Sequence, residues 1–169
     1  MVTVRRATLA DAAKLSLVGG ASFLESFADD HPGDDLVNHV HDRHSVATYQ
    51  NWLSDPAYTL WIVEEALGAP VGYAMLGPAG LPGATKDDFE IKRIYMLRRW
   101  HGGGYGKLLF RVCRDTARER GAVRLVLAVY AANQLAQQFY TRQGMSIIGD
   151  TVFMVGATEF TDLVMALDL

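Results

Sequence analysis

The sequence has almost no cysteine: Cys113 is the only one in 169 residues, so an internal disulfide is excluded. Cys113 also falls within a helical pattern of apolar residues, and both features predict a protein of the reducing cytoplasm. No apolar run approaches the roughly 20 residues needed to span a bilayer, and no membrane partner is expected. The basic N-terminus lacks the apolar stretch of a secretory signal peptide, so no targeting segment is expected.

Excess positive charge is also missing. The formal net charge is -3 at pH 7, which gives no reason to expect a general nucleic-acid binder. Half of the residues are hydrophobic and 21% are charged, a normal composition for a globular protein. There are no internal repeats and no low-complexity tracts. The length then predicts a single domain over residues 1–169.

Apolar periodicity predicts the order strand, helices, three strands, helix, strand, helix and two strands. A capping-box spacing between Thr8 and Asp11 begins the first helix, which Gly19 and Gly20 are expected to interrupt or bend. The acidic, His-rich segment 29–44 is expected to be a loop with some helix. Strands are expected at 2–5, 58–65, 71–77, 89–97, 123–130, 145–155 and 161–167. The order predicts an α/β (α+β) fold with a single mixed central β-sheet flanked by helices.

A cluster of glycines precedes and opens the helix predicted to begin near Tyr105. Its members are Gly102, Gly103, Gly104 and Gly106. Clustered glycines allow a backbone to approach a ligand closely, and the free N–H groups at a helix N-terminus bind anions. The cluster therefore predicts a phosphate-binding loop, with a glycine-rich surface turn as the alternative.

Two common phosphate-binding motifs do not fit this loop. The P-loop, G-x-x-x-x-G-K-[ST], needs Gly at position 101 and Ser or Thr at 108, but the chain has His101 and Leu108. The dinucleotide motif G-x-G-x-x-G fails at Lys107 or at Leu109, depending on where it starts. These failures disfavour a nucleotide-binding regulator.

The remaining motif is [QR]-x-x-G-x-[GA] followed by an amphipathic helix, which reads here from His101 to Gly106. The strand FEIKRIYML (89–97) precedes it, and the block NQLAQQFYTRQGM (133–145) follows after another strand. In these segments the chain resembles the GCN5-related N-acetyltransferase (GNAT) superfamily over most of its length. EIKRIYM and TDLVM are most similar to bacterial members of the polyamine and small-amine type. His101 stands where the family has Gln or Arg, and it can still donate a hydrogen bond.

The resemblance implies a GNAT-like acyl-CoA N-acyltransferase fold, with acetyl-CoA wedged between the strands that end near Met96 and Tyr130. It implies direct transfer of an acetyl group from acetyl-CoA to a primary amine of a small molecule, polyamine or protein, without an acyl-enzyme. Homodimers are common in the family, so a homodimer is allowed. The residues implied to bind acetyl-CoA are Ile94, Tyr95, Met96, His101, Gly102, Gly103, Gly104, Tyr105, Gly106, Lys107, Asn133 and Tyr140.

The attacking amine needs a base, because an alkylamine is almost fully protonated at neutral pH. The resemblance assigns this role to Glu90, directly or through a water. Strand alternation is expected to place Glu90 on the same side as Ile94 and Met96. Pairing of Glu90 with Lys92 or Arg93 on a solvated sheet edge is the alternative.

The resemblance also implies the other catalytic groups. Tyr140 matches the family tyrosine that faces the sulfur of coenzyme A and protonates the leaving thiolate; simple packing beside Phe139 is the alternative. Asn133 is expected to contact the pantetheine arm, to cap the helix that begins near it, or both. The Met96 backbone N–H is the candidate donor to the oxyanion.

The segment 29–44 allows two further hypotheses. His39, His41 and His44 lie near Asp42, but no chemistry elsewhere requires a metal, so none is expected. Its aspartates could form a rim that attracts a cationic amine, with a solvated loop as the alternative. The rim residues are Asp29, Asp30, Asp34 and Asp35.

A different class of function stays open at this point. A domain that binds acyl-CoA for sensing or assembly, without catalysis, would keep the same glycine loop. The acceptor amine is not identified by the sequence, because its recognition would lie in the segments 21–44 and 78–88.

Overall fold

A computed structural model describes residues 1–169 as seven strands and five α-helices, in the predicted order. One mixed sheet has the strand order β1-β2-β3-β4-β5-β7-β6, which confirms the predicted fold class. The strands are β1 (Thr3–Arg6), β2 (Thr59–Glu64), β3 (Pro70–Pro78), β4 (Asp88–Met96), β5 (Arg124–Tyr130), β6 (Ser146–Val155) and β7 (Thr158–Asp168). The helices are α1 (Ala12–Phe27), α2 (Gly33–Arg43), α3 (Val46–Ser54), α4 (Tyr105–Glu119) and α5 (Gln134–Arg142). None of these helices combines the length and apolarity required to cross a bilayer.

The sheet carries a hydrophobic core on each face. On the side that we call the α4 face, apolar residues of β2 to β5 pack against α4 and α5. On the opposite side, the α1 face, residues of β2 and β3 pack against α1 and α3. Cys113 is fully buried in the α4-face core, and this burial raises the pKa of its thiol, so it is a structural cysteine.

Helix α1 is continuous through Gly19 and Gly20, so the predicted interruption is wrong. A Cβ atom at Gly19 would lie 2.5 Å from His44 Nδ1 and closer still to the hydroxyl of Tyr49. Glycine at this position therefore serves the close packing of α1 against α3 rather than a break in the helix.

Segment 29–44 is more helical than expected, because α2 covers Gly33–Arg43. The side chain of Leu36 in α2 is buried against Phe23 of α1 and Val155 of β6. This tertiary contact gives the polar segment one apolar anchor, which stabilises a helix that its composition alone does not predict.

Strands β4 and β5 are parallel but pair only over Asp88–Glu90 and Arg124–Val126. Beyond these three Cα pairs, β4 continues beside β3 alone and β5 continues beside β7 alone. The register between β3 and β4 also shifts at this point, with Lys92 as an extra residue in β4. Such a β-bulge bends its strand and increases the local twist. A gap therefore opens between residues 91–96 of β4 and residues 127–130 of β5, which we call the β4–β5 gap.

The start of α1 is fixed by a network of charged side chains. Asp11 accepts two hydrogen bonds from Arg5, at 2.7 and 2.8 Å, and one from the Thr8 backbone N–H at 2.8 Å. Arg5 also binds Glu64 at 2.8 Å. The Arg5 guanidinium holds the pKa of the buried Asp11 carboxyl well below its usual value.

We expect Asp11→Ala to lower the free energy of unfolding at pH 7 by about 2 kcal/mol, because several charge-assisted hydrogen bonds are lost. The pKa of Asp11 is lower in the folded than in the unfolded state, so this stabilisation exists above the unfolded pKa and disappears as the pH falls. Urea unfolding at pH 7 and at pH 3 measures both effects. The control Asp115→Ala removes a half-exposed pair with the adjacent Arg114 and should change stability by less than about 0.5 kcal/mol. Equal losses in the two variants would contradict the assignment.

Candidate functional site

One wall of the β4–β5 gap is formed by backbone groups without a partner strand. Leu97 N–H donates to Val71 O at 2.9 Å, so Val71 and Leu97 form a hydrogen-bonded pair of β3 and β4. Because bonding alternates along an antiparallel pair, the backbone groups of Ile94 and Met96 point away from β3. They face the gap, since β5 has already diverged. The predicted oxyanion donor, the Met96 N–H, therefore lies at the edge of an opening that can admit a ligand.

His101 does not present its Nε2 atom to the glycine loop as expected. That atom lies 2.8 Å from the backbone oxygen of Met96 and makes a hydrogen bond with it. The imidazole therefore closes the turn between β4 and the loop. Its contribution is to fix the loop against the strand, and its Nε2 atom is not free for a phosphate group.

The glycine loop has the conformation of an anion site. Gly102 and Gly104 both have φ values of +81°, and a Cβ at either position would meet nothing within 4 Å. The amides of Gly102, Gly103 and Gly104 donate to no backbone oxygen, and no side chain caps α4. The first amides of α4 add to this set, since a helix start leaves its N–H groups unpaired. Consecutive free donors at a positive helix end are suited to a phosphate or pyrophosphate.

Two more predicted residues frame this site. Lys107 is exposed in the first turn of α4, where its charge can meet an anion. Asn133 precedes α5, and its Oδ1 accepts a hydrogen bond from the Ala136 N–H at 3.0 Å. The predicted capping role of Asn133 is thus confirmed. The start of α4 packs against the second half of α5, since a Cβ at Gly106 would lie 3.7 Å from Phe139.

Tyr140 belongs to the α4-face core and packs against Phe139 and Phe110, with ring centroids 5.2 and 6.3 Å away. The packing alternative named for this residue is therefore present in the fold. Burial is the main cause that raises the pKa of Tyr140, and Tyr95 and Cys113 raise it further. Tyr95 packs on the α1 face, so the two phenols lie on opposite faces of the sheet. They are still close enough for an electrostatic interaction. A phenol in this environment remains protonated at neutral pH.

Glu90 does not share a side with Ile94 and Met96, so this prediction is wrong. Ile94 and Met96 pack on the α4 face, as does Ile91, which places its neighbour Glu90 on the α1 face. The bulge at Lys92 adds one residue and reverses the alternation. The extra residue is the physical reason for the changed orientation of Glu90, and no local pattern in the sequence of β4 predicts it.

The carboxylate of Glu90 is already engaged. It accepts a hydrogen bond of 2.7 Å from Lys92 Nζ and one of 2.9 Å from the Gly80 backbone N–H. The Lys92 pairing is one of the alternatives named above, although Glu90 is buried and not on a solvated edge. Glu90 also lies at the closed end of the gap, opposite Val126.

The histidines of segment 29–44 do not converge. No three histidine, cysteine, aspartate or glutamate side chains of the structure are grouped so that they could hold a metal ion. His44 lies 2.9 Å from the Tyr49 hydroxyl, and burial together with Arg93 lowers the pKa of His44 to about 3. His39 stacks on Phe23 at 4.1 Å, and its pKa is lowered to about 4 by burial. Both rings are neutral packing elements of the α1 face.

One candidate residue is absent from the predicted site. Asp162 of β7 pairs with Tyr130, the last residue of β5, at the open end of the gap. Burial raises the pKa of Asp162 to about 6. The available signal was its position in the apolar strand TDLVMAL, where Asp162 alternates in phase with Val164 and Ala166 and so faces inward.

Comparison with known proteins gives consistent results. Residues 21–145 match the sequence model of the Acetyltransferase (GNAT) family. A relative from Mycobacterium tuberculosis, named as an uncharacterized N-acetyltransferase, is 31% identical over 161 residues, which are 95% of this chain and 99% of the relative.

Solved structures share the whole fold. The PaiA N-acetyltransferase of Thermoplasma acidophilum, in complex with coenzyme A, has a TM-score of 0.77 at 16% identity and covers 100% of this chain and 99% of its own. The yncA protein of Salmonella typhimurium, with its cofactor acetyl-CoA, has a TM-score of 0.70 at 20% identity, covering 100% and 94%.

Proposed function

Because the chain belongs to the acetyltransferase (GNAT) family, we propose that it transfers the acetyl group of acetyl-CoA directly to a primary amine. One observation carries the proposal: a loop of free backbone donors opens helix α4 beside a gap in the sheet whose edge groups are unpaired. The first feature suits a pyrophosphate and the second suits an extended thioester arm. Together they match the two ends of acetyl-CoA.

The glycine loop and the first turn of α4 would hold the pyrophosphate of acetyl-CoA. The free amides of Gly102, Gly103 and Gly104 point donors at the phosphates, and the helix dipole favours their charge. Lys107 adds a cation in the same turn. His101 supports this loop from behind by its hydrogen bond to Met96.

Strand β4 would hold the pantetheine arm. The outward backbone groups of Ile94 and Met96 line the gap, and their amides extend the sheet toward a ligand in place of β5, while Tyr95 between them bonds to β3 and would contact the arm only through its position in the strand. Asn133, which caps α5 just after β5, would contact the same arm. When bound, acetyl-CoA supplies the thioester whose carbonyl oxygen becomes negative in the transition state, and the Met96 N–H would stabilise that charge.

Tyr140 would act as the acid that protonates the departing thiolate. Its buried phenol stays protonated at working pH, because burial raises its pKa. Proximity then decides the transfer, since a phenol is a weak acid for a thiolate unless it is well placed.

Glu90 would act as the base only through a bridging water. Its carboxylate is bound to Lys92 and to the Gly80 N–H, so a bridging water would have to carry the proton to it. Glu90 lies on the α1 face and Tyr140 lies in the core of the α4 face, so the proposed base and the proposed acid are on opposite faces of the sheet.

Acetyl-CoA-dependent release of free thiol tests the function directly. The acceptors to compare are butylamine, 1,4-diaminobutane and a peptide with a free α-amino group. Turnover with any of them supports the proposal. Binding of acetyl-CoA without turnover on any acceptor would favour the non-catalytic binding domain instead.

We expect Tyr140→Phe to lower kcat by about 10²-fold, because general acid catalysis contributes on this scale. The dissociation constant for acetyl-CoA, measured by calorimetry, should stay within about twofold, since the ring and its packing are kept. Tyr58→Phe is a matched control: this ring packs over Gly77 and away from the thiolate position, and its rate should be that of the native enzyme. Unchanged kcat in Tyr140→Phe would remove the acid role.

We expect Gly104→Ala to weaken acetyl-CoA binding by at least about tenfold, because a side chain would strain the positive φ and occupy the space left for phosphate. The matched control is Gly121→Ala at the other end of α4, where φ is +79° and the space is also open. Both variants carry similar backbone strain, so thermal unfolding should report similar losses of stability. Equal effects on binding would show that strain alone, and not the ligand site, is responsible.

A further inference from the structure

Asp162 occupies the open end of the β4–β5 gap on the α1 face. Its Cα partner is Tyr130, and paired residues of a sheet point to the same side. The Tyr130 ring contacts Phe27 and His31 from the end of α1, with centroids 6.0 and 6.2 Å away, which fixes this side as the α1 face. Asp162 therefore lies on the side of the sheet opposite Tyr140.

Asp162 has no cationic partner. Its β6 neighbour in the register is the uncharged Thr151. Burial alone accounts for the raised pKa of its carboxyl, with no opposing cation. A half-buried carboxylate without a cationic partner loses part of its hydration on folding with no ion pair to offset the cost, and such groups are found at functional sites.

Two phenols near Asp162 interact with its charge. Burial and Tyr73 raise the pKa of Tyr95, Arg93 lowers it, and Asp162 raises it further. The pKa of Tyr130 is raised by burial and then by Asp30, Asp162 and Asp29. Three aspartates therefore act on Tyr130 at this end of the gap, and their charges attract a cation.

Aromatic rings form the wall next to this carboxylate. His31 stacks on Phe160 at 3.7 Å, and Tyr130 stands edge-on to Phe160 at 5.7 Å. Ring faces and carboxylates together favour an alkylammonium group. The Nε2 atom of His31 is also buried without a hydrogen-bond partner. A buried polar atom left unpaired within this wall is a second sign that the surface is completed by a ligand.

We propose that Asp162 receives the ammonium group of the acceptor and takes its proton before attack. This inference rests on the proposed acetyl transfer and assigns its acceptor as a cationic primary amine that enters from the α1 face. Asp162 then stands on the acceptor side and Tyr140 on the thioester side, and Tyr95 senses both groups. This assignment competes with the water-mediated base role of Glu90, whose carboxylate is held by Lys92 and the Gly80 N–H, and the Glu90→Gln variant below distinguishes the two.

The protons and bonds balance along this route. Asp162 takes one of the three N–H protons and later releases it to solvent. The nitrogen lone pair then forms the N–C bond, and the C–S electron pair leaves with sulfur. Tyr140 gives its proton to that sulfur and regains one from the nitrogen, so the amide keeps a single hydrogen.

The test compares Asp162→Asn with Glu90→Gln, two neutral isosteres on the same face of the sheet. With the best acceptor among butylamine, 1,4-diaminobutane and the α-amino peptide, kcat/KM of Asp162→Asn should fall by about 10²-fold. The native profile should lose activity as the pH falls through about 6, where Asp162 becomes protonated, and this acidic limb should be absent in Asp162→Asn. Glu90→Gln should keep that limb. The dissociation constant for acetyl-CoA should be unchanged in both.

A weakly basic acceptor separates proton removal from simple attraction. With 2,2,2-trifluoroethylamine, which is largely neutral at pH 8, the defect of Asp162→Asn should shrink to a few-fold, because no proton has to be removed. A limb near pH 6 that survives in Asp162→Asn, or a larger defect in Glu90→Gln, would overturn the inference while acetyl transfer stands. No turnover by the native enzyme with any amine would instead overturn the proposed function, and this inference with it.

Stability gives an independent readout. A carboxyl whose pKa is raised on folding favours the folded state below its unfolded pKa, and this contribution is lost as the pH rises through the folded pKa. Asp162→Asn should therefore raise the melting temperature at pH 7 by roughly 2–4 °C and change it little at pH 4. A lower melting temperature at pH 7 would identify a structural residue and contradict the proposal.

Discussion

The pairing of β4 with β5 ends after three residues, and the functional half of the molecule follows from that interruption. Backbone N–H and C=O groups that lie near a protein interior require partners. Here the outward groups of Ile94 and Met96 lose their neighbour because the two strands diverge. His101 satisfies one of them, the Met96 oxygen, and thereby sets the position of the glycine loop. The gap, the loop and the start of α4 are consequences of one discontinuity in the sheet.

The same discontinuity separates two electrostatic environments. On one side, the uncapped end of α4 and Lys107 form a site for anions. On the other, Asp162 and the turn after α1 form a negative, aromatic region. On the proposed route, an acyl donor that carries phosphates and an acceptor that carries an ammonium group would approach from opposite faces. They would meet where the sheet is open, and neither would have to pass the binding site of the other.

Features that depend on neighbouring residues in the chain could be predicted from the sequence, and features that depend on distant contacts could not. The capping role of Asn133 and the order of elements depend on neighbours in the chain, and both predictions are confirmed, while phosphate binding at the glycine loop stays a prediction. The orientation of Glu90 depends on a bulge set by pairing with β3, and the continuity of α1 depends on Tyr49 and His44. The role proposed for Asp162 depends on its position beside Tyr130 and Tyr95, residues far from it in sequence. Contacts of this kind carry no periodic signal within a single strand or helix.

The sheet can also be described mechanically. The sheet consists of two groups of strands, β1–β4 and β5–β7, which are joined by only three residue pairs between β4 and β5. The ion pair of Asp88 with Arg124, at 2.7 Å, also links the two groups. A thioester arm that bonds to β4 on one edge and fills the space beside β5 acts as a missing strand between the two groups. On this proposal, the binding energy of acetyl-CoA would add to the contact between the two groups of strands, where only three residue pairs now join them.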